Sequence, residues 1–122
     1  MANNYRNAKI KLTDPTRSLF YTGKSQTTAI IRSIRGCNSS ALVNSNVTLS
    51  LDTAAGGSYD VFINRALYTG QDLELLAFTP GDLISTAQPP PLVVQEGELL
   101  YIKLDGDNAD GVDIISSILE IN

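Results

Sequence analysis

Apolar residues in this chain recur at every second position in short runs, and that alternation limits it to an all-β fold. Val47-Thr48-Leu49-Ser50-Leu51 is the clearest run. Its Val47, Leu49 and Leu51 face one way, and Thr48 and Ser50 face the other. Similar runs span Ala8 to Leu12, Ser18 to Tyr21, Thr27 to Cys37, Tyr59 to Asn64, Asp72 to Phe78, Leu92 to Val94, Leu99 to Leu104 and Val112 to Ile121. No window carries apolar residues at helical spacing over three turns. In the longest run, Thr28, Ile30, Arg32 and Ile34 share one face by simple alternation, and Ala29, Ile31, Ser33 and Arg35 the other. Ile30 and Ile31 make its start apolar on both sides, as expected of a central strand near an interface. In the last run, Val112, Ile114, Ser116 and Ile118 share a face, with Ile115, Leu119 and Ile121 opposite.

The punctuation between runs is that of turns. Asp14-Pro15, Thr22-Gly23-Lys24, Gly56-Gly57 and Glu96-Gly97 supply the residues that turns require. About eight short strands in 122 residues predict one antiparallel β-sandwich, jelly-roll-like, with a small barrel as the alternative. Residues 1–17 read as an N-terminal arm with the first strand, and residues 18–122 as the sandwich, in a single domain overall. The polar stretch Met1 to Asn7 is expected either to fray or to order by adding to a neighbour's sheet edge. Thr79 to Pro91 is the least regular segment. Its Pro89-Pro90-Pro91 cannot donate ladder hydrogen bonds and reads as a stiff extended linker.

Composition closes off several classes of chemistry. The chain has no His and one Cys, so a Ser-His-Asp triad and a four-ligand zinc site both fail. Cys37 is expected to be a partly buried thiol at a strand end. No phosphate loop or dinucleotide fingerprint occurs. The net charge is -4, which argues against nucleic-acid binding. Seven of the nine basic residues lie at or before Arg35, while the acids lie mostly after Asp52. That asymmetry suits a domain with a basic side and an acidic side. No apolar run approaches the roughly 20 residues of a membrane span, and the N-terminus lacks the apolar core of a signal peptide. The reading is of a non-enzymatic protein without a cofactor, made in a reducing cytoplasm.

Asp105, Asp107 and Asp110, in the turn from Asp105 to Gly111, are the best metal candidates. The EF-hand order fails there, so the turn reads as a solvated hairpin tip. The sequons at Asn38 and Asn46 read as chance. Carboxylates elsewhere are expected at turns or on polar strand faces.

The segment from Thr28 to Ser40, followed by Val47 to Leu51, resembles small β-sandwich virion proteins of tailed bacteriophages. The phrases Leu19-Phe20-Tyr21-Thr22, Gly70 to Leu76, Pro91 to Leu100 and Val112 to Glu120 fit the same pattern, which covers roughly residues 18–121. The resemblance implies a virion structural protein, made in the host cytoplasm. Its expected role is capsid decoration or cement, with the major capsid protein or other virion proteins as partners. A homo-oligomer is expected, a trimer among its forms. A tail, baseplate or fibre component that binds a receptor or carbohydrate is the alternative, and a lectin-like module a third. The expected contacts are Tyr5 and Arg6 in the arm, and Pro80, Leu83, Ile84, Pro89, Pro90 and Pro91 in the irregular segment.

Overall fold

The computed structural model describes residues 3–76 and 92–122. Nine strands form two antiparallel sheets: β1 (Asn3–Leu12), β2 (Ser18–Thr22), β3 (Thr28–Asn38), β4 (Ser45–Asp52), β5 (Ser58–Leu67), β6 (Asp72–Glu74), β7 (Leu92–Val94), β8 (Leu99–Leu104) and β9 (Val112–Ile121). The first sheet runs β1-β9-β3, with β6 and β7 both on the far edge of β3; the second runs β2-β8-β4-β5. The pairings are nested: β1 with β9, β2 with β8, β3 with β6 and β7, and β4 with β5. A long hairpin wound so that β9 also pairs β3 and β8 also pairs β4 is a jelly roll. The chain is therefore an all-β jelly-roll sandwich.

β6 and β7 occupy one strand position between them. β6 pairs residues 35–37 of β3, and β7 pairs residues 29–31. That is how nine segments fill an eight-strand plan. The expected strand from Asp72 to Phe78 stops at Glu74. The Leu75 N–H still bonds the Ile34 carbonyl at 2.7 Å, but the Ile34 N–H donates to Glu74 Oε1 at 3.0 Å and the Leu75 carbonyl accepts from Arg65 at 2.6 Å, so the reciprocal ladder bond is not made. Ala77, Phe78 and the proline-rich linker lie outside the described residues.

The core fills from both inner faces. Ile31, Ile34, Ile114 and Ile118 come from the first sheet, and Val47, Leu49, Leu100, Ile102 and Leu104 from the second. Val47, Leu49, Ile114 and Ile118 follow the parity of the sequence. β3 does not. The extra residue Arg32 forms a bulge between Ile31 and Ser33. Ala29 and Ile31 point inward before it, and Ile34, Gly36 and Asn38 after it. Ile34 thus shares its face with Ala29 and Ile31, not with Thr28 and Ile30. A second bulge at Phe20 lets Phe20 and Tyr21, adjacent in the chain, both reach the interior.

The arm also differs from expectation. Asn3 to Asn7 pairs residue for residue with β9, continuing β1 to its start. The polar residues reflect an edge strand with one wet face and a free rim, on which Lys9 and Lys11 discourage further pairing. Cys37 is exposed because the bulge turns it outward.

Gly23 shows how tightly the turns interlock. Its N–H bonds the Glu98 carbonyl at 2.8 Å, and its carbonyl accepts from Gly97 at 3.2 Å. A Cβ at Gly23 would collide with the Gln95 carbonyl oxygen, so backbone must move. Gly23→Ala is expected to destabilise the domain by about 3 kcal/mol, seen as a lowered midpoint in urea. Gly70→Ala has open space around it but a φ of +70°, and a loss of about 1 kcal/mol is expected there.

Candidate functional site: the outer face of the first sheet

Strand register sets the outer face of the first sheet in rows. One row is Tyr5, Leu119, Ile30 and Val93. These four apolar side chains cross four strands, a span of about 14 Å. Tyr5 is 69% exposed, and the other three are half-buried. Two rows along, Lys9, Ile115, Arg35 and Glu74 stand side by side, followed by Lys11, Asp113, Cys37 and Asp72. Lys11 pairs with Asp113 at 3.5 Å and Arg35 with Asp72 at 3.2 Å. Arg32, projected by its bulge, stands 5.9 Å from the Tyr5 ring centre. Among the described residues, Lys9 and Arg32 have no carboxylate partner. Four of the seven early cations, Lys9, Lys11, Arg32 and Arg35, thus come to this face beside its apolar row, while Arg6 and Lys24 reach Glu120 and Arg17 lies on the other sheet.

Tyr5 and Arg6 point to opposite sides. Tyr5 lies in the outer row, whereas Arg6 turns inward and its Nε–H donates to Glu120 Oε1 at 2.9 Å. Glu120 is buried on the inner face of β9, with only 3% of its side chain exposed. The Tyr21 hydroxyl donates to its Oε2 at 2.6 Å, and Lys24 Nζ lies 3.2 Å away. So Arg6 is a structural residue, and not every carboxylate sits at a turn or on a wet face. Parity carried the signal: Glu120 continues Val112, Ile114, Ser116 and Ile118, and Arg6 continues Ala8, Ile10 and Leu12.

Burial pushes the Glu120 carboxyl up, but hydrogen bonds from Tyr21 and Lys24 and the charges of Arg6 and Lys24 outweigh it, leaving it below its ordinary 4.5. The Tyr21 hydroxyl is raised, chiefly by burial and then by the bond to Glu120. Glu74 moves up, because burial exceeds the help of the Ile34 N–H and Arg35.

The opposite end of the sandwich is closed by amides. Asn38 Nδ2 donates to the carbonyls of Val43 and Leu67 at 2.8 and 3.0 Å, and its Oδ1 accepts from Asn108 Nδ2 at 3.0 Å. Asn108 Nδ2 also donates to Ser45 Oγ at 2.9 Å. Asn38 is fully buried, so its sequon offers no acceptor for a glycan. Asp105 is taken up by the backbone N–H and side-chain amide of Asn46, both at 2.9 Å. Asp107 and Asp110 are exposed, and no group of three metal-ligating residues forms among the described residues. The remaining expected contacts, Pro80, Leu83, Ile84, Pro89, Pro90 and Pro91, lie outside the described residues.

No family model matches the chain, and no curated protein matches it.

Because the carboxyl of Glu120 is depressed in the folded state, its contribution is complete above the unfolded value and is lost as pH falls through the folded one. Glu120→Gln is expected to lower stability near neutrality by about 2 kcal/mol. Plotted against pH, the gap between wild type and variant should close in acid, which urea midpoints will show; a constant gap would deny the charge any role. Calcium at millimolar concentration is expected to leave the thermal midpoint unchanged.

Proposed function

We propose that this chain is a non-enzymatic virion structural protein of a tailed bacteriophage. In this reading it is a decoration or cement subunit that docks its first sheet onto the capsid lattice. The observation that carries the reading is the apolar row Tyr5-Leu119-Ile30-Val93 on paired strands. Side chains fixed on a sheet lose little freedom on docking, so burying them yields affinity without a large ordering cost. Lys9 and Arg32, on the same face and without a carboxylate partner among the described residues, favour a partner surface that is apolar with acidic margins. The resemblance of the strand phrases to small virion sandwiches supports the same reading. A jelly roll can lie between neighbouring subunits with one sheet turned to each, and a homo-oligomer would multiply the contacts.

The test is the copy number of the protein in purified particles, by quantitative mass spectrometry against the major capsid protein. Equal numbers, or one-third, are expected for a decoration subunit. A few per cent would move it to the tail, and absence from particles would refute a virion role. Tyr5→Glu, which changes an exposed side chain, is expected to reduce particle-bound copies about tenfold or more while leaving the thermal midpoint in place.

A further inference from the structure

A second surface, on the outer face of the other sheet, has a different character. β5 carries two extra residues opposite β4, one between its pairings with Val47 and Leu49 and one between those with Leu49 and Ser50. Bulges bend a strand and deepen its twist. Asn64, in the first of them, has a φ of 49° and is held there by its N–H donating to Thr48 Oγ1 at 3.0 Å. The bent β5 encloses a groove of about 640 Å³, within the usual ~300–1,000 Å³ of small-molecule sites.

The groove is polar and pre-set. Its floor is Thr48 and Ser50, whose hydroxyls are engaged by Asn64 and Arg17. Arg17 is fixed three ways: 2.6 Å to Asp52, 3.3 Å to Ser50 Oγ, and 3.7 Å above the Tyr101 ring. Asp60 and Lys103 also line the groove, and neither has a partner among the described residues. Register puts Asp60 opposite Ser50 and Lys103 opposite Thr48. Two strand spacings and two residues therefore separate their Cα atoms, about 12 Å, which is too far for them to pair across the floor. Ile63, 61% exposed, stands in the lining with Pro15, Ser58, Leu104 and Asp105.

We infer that this groove binds a neutral saccharide of one or two rings. A sugar needs acceptors and donors on opposite sides of a ring and an apolar contact for its C–H face. Asp60 accepts from hydroxyls, Lys103 and the Asn64 amide donate to them, and Ile63 meets the C–H face. Arg17 already covers Tyr101, so stacking on that ring is not part of the site. The lining sets Arg17 and Lys103 against Asp52, Asp60 and Asp105, and Arg17 is already held by Asp52, so an acidic ligand is disfavoured and a neutral one fits better. Saccharide binding would belong to the isolated domain, whether or not the domain sits on a particle.

The test is a titration of the isotope-labelled chain with lactose, maltose and N,N′-diacetylchitobiose, read by amide chemical shifts. Saturable shifts at Thr48, Ser50, Asp60, Asn64 and Lys103 with at least one sugar are expected. Asp60→Asn and Lys103→Met should each weaken that binding roughly tenfold or more, with spectra that remain dispersed. Lys9→Met, on the other sheet, should bind as wild type. Failure of all three sugars to shift these amides would overturn the inference, as would shifts centred elsewhere or affinities that both groove variants leave intact.

Discussion

Every strand of this sandwich depends on two strands that come late in the chain. β9 is the middle of the first sheet and β8 joins β2 to β4 in the second. Neither sheet closes until the chain has returned through residues 99–121. Most pairings therefore join distant residues, as β1 does with β9 from Asn3↔Ile121 to Leu12↔Val112. Such a topology pays loop-closure entropy before its contacts form, and folding on a millisecond-to-second scale follows.

Two polar clusters tie the winding at its ends. At one end Glu120 collects Arg6 from β1, Tyr21 from β2 and Lys24 from the following turn, so one carboxylate joins both sheets. At the other, Asn38 and Asn108 reach each other across 70 residues of sequence and satisfy the carbonyls of the loops around them. An apolar interior fixes how much surface is buried but leaves the sheets free to slide. A charge or amide that must find named partners does not. No buried side-chain polar atom among the described residues lacks a hydrogen bond, so the specificity carries no orphaned group.

Much of this was legible because alternation and turn chemistry are local properties. The strands at Val47 to Leu51, Leu99 to Leu104 and Val112 to Ile121 could be placed from alternation alone, and in the first and last of them so could the residues that share a face. What parity could not supply was the bulges. Arg32 inverts the second half of β3, Phe20 allows two neighbours to be buried, and the extra residues of β5 shape a groove whose lining comes from four separate segments. A bulge depends on the partner strand and has no fixed signature in its own sequence. Glu120 and Arg6 are the contrary case. Their positions followed from parity, but charge suggested a wet face, and only the three-dimensional neighbours Tyr21 and Lys24 explain why it is dry. The function-bearing surfaces were least legible, since each joins residues through register.

The divided strand position at β6 and β7 gives the domain an unusual freedom. Both fragments take their alignment from β3 and not from each other. β6 is aligned against residues 35–37 of β3 and β7 against residues 29–31, so loosening one fragment leaves the other in register. The far edge of the first sheet can thus open in two separate steps, where an unbroken strand would have to peel away as one.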